Sequence, residues 1–282
     1  MWGLDTQLAL PQVELDSLAL RLAWVDALGS DLRSLPVATY FHDLGAVFPL
    51  FNARVEEASE YVGIADCSIT RAEAVPCFRL GVGCHLVVRC LACGADNGLD
   101  ADDRDAEVCH RCAELVEFPR GMPDEIVVCY AALRAGRAAI SKDTEYGMIT
   151  WESAQCGLTE GPPGGGRSRQ SSRAPLSALC EDRAGTKLDP EVMLELLRTP
   201  TYISWQGERW LFEGRTPGVF IGCWDAADFA AHAGSQSAED LFFAVVGSSE
   251  RWLWSALGAG RISVYVFRMP GSGDLRAHWD MD

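Results

Sequence analysis

The sequence predicts an α+β protein: an N-terminal helical segment, a zinc-ribbon-like module and an aromatic-rich mixed C-terminal domain. Three observations lead there. Apolar residues recur at helical spacing early in the chain, two Cys-x-x-Cys pairs punctuate short β-like pieces in its middle, and six of its nine tryptophans lie beyond residue 200. The 282 residues are 48% hydrophobic and 23% charged, a globular composition that excludes disordered, collagen-like and coiled-coil classes. A chain of this length has room for one large core or two modest ones.

Leu15, Leu18, Leu22, Val25 and Leu28 mark one face of a helix between Gln12 and Leu28, and residues 34–61 read as mixed turn and helix. These belong to a segment 1–80. A module follows over 81–156, where "CHLVVRC" (Cys84 to Cys90) reads as a strand among glycines. Its Ala-rich stretch 129–141 favours helix before a "DTEYGM" turn. Residues 157–175, rich in Gly, Pro, Ser and Arg, read as a linker or loop, which puts a domain boundary there.

In the C-terminal domain, 176–282, Asp189 before Pro190 is a helix start, because the carboxylate caps free amides and proline suits the first turn; the helix should run to Leu197. Trp205 to Phe212 suggests a strand or hairpin. Asp225 to Ala233 and Ser237 to Val246 suggest short helices, the second opened by a Ser237/Asp240 capping box. Ile262 to Met269 and Leu275 to Asp282, joined by Pro270-Gly271-Ser272-Gly273, form a terminal hairpin. Trp205, Trp210, Trp224, Trp252, Trp254 and Trp279 suggest a compact aromatic core.

The most specific chemical signal is Cys90-x2-Cys93 followed, fifteen residues on, by Cys109-x2-Cys112. Two such knuckles complete a thiolate tetrahedron around one structural zinc, with no open position for catalysis. His85 and His110 stand near and could replace a ligand, and Cys77 and Cys84 are spare candidates, though each reads first as an ordinary core or surface residue. Cys67, Cys129, Cys156, Cys180 and Cys223 read as small buried apolar residues.

Between the knuckles runs an acidic loop with Asp100, Asp102, Asp103, Asp105 and Glu107. Its plain reading is a solvated loop; the sharper one is a carboxylate surface offered to a basic protein. The formal net charge is −16, with 24 acids against 12 bases in residues 1–156 and 16 against 12 afterwards. Such a balance disfavours direct nucleic-acid binding and favours a basic partner. No uncharged apolar stretch approaches the ~18 residues of a membrane span, and the acidic N-terminus does not resemble a secretory signal, so the expected location is cytoplasmic. Phosphate-loop, Gly-x-Ser-x-Gly, His-Glu-x-x-His and dinucleotide motifs are all missing, which argues against an enzyme.

Two stretches, "LLRTPTYISWQGERWLFEG" (Leu196 to Gly214) and "VFIGCWDAADF" (Val219 to Phe229), resemble the CbrC-like colicin-tolerance family. The paired Cys-x-x-Cys motifs and the terminal "FRM" and "HWDMD" are similar to that family too. The likeness spans about 84–282, and Cys129 to Glu152 resembles a subgroup from bacteria rich in interbacterial toxins. Where the family often has another Cys-x-x-Cys near its end, this chain has Met269 and Ser272, with Met281 at a usual Cys position. The resemblance implies protection from a bacterial toxin.

The expected function is thus a cytoplasmic immunity or antitoxin protein occluding a toxin with Asp100, Asp102, Asp103, Asp105 and Glu107, and secondarily Asp143, Glu145 and Glu152. The alternative is a stress-tolerance protein or enzyme with a small-ligand pocket of Trp205, Glu208, Arg209 and Trp210. Strand alternation there would put Glu208 and Trp210 on one face and Trp205 and Arg209 on the other.

Overall fold

A computed structural model of the chain describes residues 48–80, 85–89, 93, 96–100, 112, 126–134, 138–161 and 185–281. Over these the protein is α+β, with antiparallel sheets and short helices. The Gln12–Leu28 helix lies outside them.

Residues 48–60 are turns with one short 3-10 segment, Val55–Glu57. Strands then replace helix in the rest of the first segment. β1 (Tyr61–Ala65) pairs with β2 (Val75–Leu80), which pairs with β5 (Ile126–Cys129). The strand expected at "CHLVVRC" is β3 (His85–Arg89), set between β4 (Asp96–Asp100) and β6 (Ala138–Ala139). Among the described residues of the Ala-rich stretch, α1 (Tyr130–Arg134) is helical and β6 is extended.

β7 (Lys142–Thr144) and β8 (Gly147–Ile149) make a hairpin around the "DTEYGM" turn. Gly147 is required there: its φ is 113°, and a Cβ would meet the Glu160 carbonyl oxygen at 2.6 Å. Thr150 caps α2 (Trp151–Cys156), and Gly157 ends it in the left-handed conformation. Leu158 and Glu160 bridge to Lys187 and Met148, so the start of the Gly/Pro/Ser-rich stretch is tied into the fold.

Beyond it, α3 (Pro190–Leu197) begins as its sequence requires, Asp189 accepting from the Glu191 amide at 2.8 Å. β9 (Phe212–Glu213) and β10 (Thr216–Pro217) form a two-residue-per-strand hairpin, so Trp205 to Arg209 is loop where strand was expected. β11 (Val219–Cys223) leads to α4 (Ala226–His232) and α5 (Ala238–Val246), with caps at Asp225 and Ser237. An additional helix, α6 (Trp252–Gly258), precedes the terminal hairpin β12 (Ile262–Arg268) and β13 (Leu275–Met281).

The β11-β12-β13 sheet separates two cores. Along β12, Ile262, Val264 and Val266 face one apolar cluster with Trp224, Phe229, Phe242 and Leu253. Tyr265 and Phe267 face the other, which draws on residues 48–154 as well as 188–220. Alternation of period two, with both faces covered, explains why "ISVYVFR" reads as an almost unbroken apolar run. The larger core therefore takes side chains from both sides of 157–175. Of the six C-terminal tryptophans, Trp210 and Trp224 are buried, but Trp205 and Trp252 are exposed. Among the described residues no helix is long and apolar enough to cross a membrane.

Candidate functional site

The "SWQGERW" segment runs beside β7: the Trp210 amide donates to the Asp143 carbonyl at 2.8 Å, and the Glu145 amide to the Trp210 carbonyl at 3.0 Å. This pairing carries Glu208 inward against Lys142, whose side chain is 0% exposed. Lysine is almost never so buried unless paired. Its Nζ donates to Thr201 Oγ1 at 2.6 Å, stands 3.5 Å from Glu208 Oε2, and lies 5.6 Å from the Trp210 ring centroid. Glu60 completes the cluster, its two carboxylate oxygens accepting from the Thr201 amide at 3.2 and 3.0 Å.

Burial raises the Glu60 carboxyl, with Lys142 opposing. Burial also pushes Glu208 up to about 8, against Lys142 and with Glu60 adding repulsion. Near neutral pH Glu208 thus keeps its proton beside Lys142. The folded value of Glu208 lies above its unfolded one, so its contribution to stability is complete below about pH 4.5 and is lost as pH rises through about 8. Glu208→Gln is expected to flatten the dependence of unfolding free energy on pH between 5 and 8. Urea titrations across that range would show it, and parallel curves for the two proteins would contradict it.

A second polar group adjoins the first. The Tyr202 hydroxyl accepts from the Arg209 amide and lies 2.5 Å from His278 Nε2. Burial, then the Arg209 charge, lowers His278 to about 3, so its ring is neutral and Nε2 accepts the Tyr202 proton. Asp280 is buried; its carboxylate accepts from Tyr265 Oη at 2.9 Å and from the amides of Trp205 and Gln206 at 2.8 and 3.1 Å. The loop's backbone is therefore fastened to β13 while Trp205 itself stays 70% exposed.

The four residues of the suggested ligand pocket do not converge. Glu208 and Trp210 point inward, with Trp210 0% exposed and its Nε1 donating to the Gly218 carbonyl, whereas Trp205 and Arg209 are exposed. Of the suggested contact acids, Glu145 is held inside the fold, accepting from the Phe212 amide at 2.8 Å and pairing with Arg276 at 3.3 Å. Asp143 is half-buried on β7. Asp100 ends β4 and Glu152 lies in α2, while Asp102, Asp103, Asp105 and Glu107 lie outside the described residues. Cys93 and Cys112 stand in turns; Cys90 and Cys109 also lie outside. Among the described residues no group of three His, Cys, Asp or Glu side chains is placed to hold a metal ion. Two cysteines taken as small buried residues differ from that: Cys223 is exposed, and Cys156 is half-buried and disulfide-bonded.

The profile of an uncharacterised protein family, UPF0167, matches residues 99–281. The chain belongs to the UPF0167 family. No curated protein and no solved structure matches it. The UPF0167 match contains Lys142, Thr201, Tyr202, Glu208, His278 and Asp280, but not Glu60, which comes from the unmatched part of the chain. Sequence reasoning gave none of Glu60, Lys142, Thr201, Tyr202, His278 and Asp280 a role. One signal was present: the chain has 22 arginines and only two lysines, of which Lys142 is one. A compact ammonium fits a closed site that a guanidinium fork would not.

Proposed function

We propose that this UPF0167 protein is a cytoplasmic immunity or antitoxin protein that binds a bacterial toxin domain one to one and occludes it without turnover. The observation that carries this reading is charge: −16 overall, of which −12 falls within residues 1–156. A nuclease-type toxin needs a basic surface for phosphate, and a carboxylate-rich inhibitor complements that surface and associates quickly with it. Likeness of the "LLRTPTYISWQGERWLFEG" and "HWDMD" stretches to the CbrC-like colicin-tolerance family supports toxin protection as the biological role.

The contact surface of this proposal is the acidic run of Asp100, Asp102, Asp103, Asp105 and Glu107. A structural zinc on Cys90, Cys93, Cys109 and Cys112 would brace it, because the run lies between the two knuckles. Trp205 adds a second point of contact: a large exposed side chain on a loop fixed by Asp280 is the kind of anchor that dominates interface energies.

The test is a pull-down of the purified protein against the products of neighbouring genes, with metal analysis of the same sample. A one-to-one complex with a basic toxic protein supports the reading, and turnover of nucleotides or esters by the protein alone would overturn it. Reversing Asp102 and Asp103 to Lys is expected to slow association about tenfold or more at low salt without lowering the melting temperature. Unchanged association kinetics would remove the acidic run from the interface. Replacing Cys90 and Cys93 by Ser should take zinc from about one per chain to none, and unaltered zinc content would refute the ligand assignment.

A further inference from the structure

Between β1 and β2 the chain closes into a tight loop over three cysteines. The Cys67 amide donates to the Ala72 carbonyl and the Arg71 amide to the Cys67 carbonyl, each at 2.8 Å, while the Ala74 amide donates to the Asp66 carboxylate at 3.0 Å. Arg71 and Ala74 adopt φ of 56° and 53°, left-handed backbone that costs a residue bearing a Cβ about 1–3 kcal/mol. Beneath this strained loop, Cys77 and Cys129 face each other as partners across the β2–β5 ladder.

The Cys67 sulfur is the focus of the cluster. It accepts the amides of Thr70 at 3.2 Å and of Cys129 at 3.0 Å, and the Cys129 thiol hydrogen-bonds to it as well. Thr70 Oγ1 lies 3.1 Å from Cys129 Sγ. These bonds, the Cys129 thiol foremost, hold Cys67 below the usual thiol range despite its burial and so favour its thiolate. The same bond pushes Cys129 the other way, as the group that supplies the proton. Cys77 donates to the Ala65 carbonyl at 3.3 Å, and burial raises it to about 11, so it remains a thiol.

We propose that Cys67 and Cys129 are a dithiol that hydrogen peroxide oxidises to an intramolecular disulfide. The Cys67 thiolate attacks one peroxide oxygen; the O–O bond breaks, leaving a Cys67 sulfenic acid and hydroxide, which takes a proton to become water. The Cys129 sulfur then attacks the Cys67 sulfur, forming S–S, breaking S–O and releasing a second water with the Cys129 proton. Two thiols are oxidised and one peroxide is reduced to two waters. Cys67 is 2% exposed, so peroxide enters by opening the 66–74 loop, and its two left-handed residues make that opening cheap.

The full-length protein, fully reduced, is exposed to substoichiometric peroxide, alkylated and digested, and its disulfides are mapped by mass spectrometry. The expected product links Cys67 to Cys129, with Cys67 consumed about tenfold faster than Cys223. Cys223 is an exposed residue, but partial desolvation, ahead of the Glu57 carboxylate, pushes its thiol up to about 11. Cys129→Ala should stop the reaction at a Cys67 sulfenic acid that dimedone traps. A Cys77–Cys129 linkage, or Cys223 oxidised ahead of Cys67, overturns the proposal. The wild-type disulfide map separates these outcomes whether or not the variant folds.

Discussion

Replacing Lys142 with methionine is expected to destabilise the protein by about 3–5 kcal/mol, the usual penalty for removing one partner of a buried ionic group. The methionine fills much of the same volume, so the loss is electrostatic. Without Lys142, which opposes the effect of burial on Glu60, that carboxyl is driven to take up a proton beside the already protonated Glu208, and Thr201 Oγ1 loses its donor. Because that proton uptake is easier in acid, the penalty should shrink as pH falls from 8 to 5. Equilibrium urea unfolding of the two proteins at several pH values measures it. In a Glu60→Gln background the same lysine replacement should cost less, by about 1–3 kcal/mol, if the groups act as one unit. A small, pH-independent loss would mean that the charges contribute little and that packing around Trp210 holds this region.

Asp280→Ala is expected to cost about 3 kcal/mol, since the carboxylate accepts from one hydroxyl and two amides, and hydrogen bonds to charged groups contribute about 1.5–3 kcal/mol each before the chain relaxes towards water. The effect should be local as well as global. The amides of Trp205 and Gln206 lose their acceptor, so hydrogen exchange in 203–209 should accelerate more than exchange in β12. Asp280→Asn keeps the shape but can present only one accepting oxygen, which places it between wild type and alanine. Protection of 203–209 that survives the alanine change would show that the loop is held by something else, such as Tyr202 and the Arg209 amide.

These two positions show where sequence patterning is informative and where it stops. The helix at Pro190–Leu197, the helices after Asp225 and Ser237, and the terminal hairpin were all legible, because caps, prolines and period-two alternation act between residues a few positions apart. The loop at Trp205–Arg209 was less legible. Its aromatic and charged residues suggest a strand, but Gly207 takes φ of 103° and the amides of Trp205 and Gln206 go to a side chain instead of a neighbouring strand. Alternation nevertheless separated Glu208 and Trp210 from Trp205 and Arg209, and the fold turns the first pair inward and leaves the second exposed.

What the sequence determined by itself is local or additive: the acidic balance, the α+β class, the cysteine spacing and the ends of the C-terminal helices. Family membership follows from the same string of residues. Only the tertiary structure decided that Glu60 and Lys142 meet Glu208, or that Cys67 meets Cys129. The Thr201–Glu60 hydrogen bonds span 141 residues and the Cys129–Cys67 one spans 62. No periodicity reports such meetings. They follow from how the chain packs, and the surroundings then change the chemistry of the groups brought together: burial holds a proton on Glu208, while hydrogen bonds from Cys129 and Thr70 favour the thiolate of Cys67 against its burial.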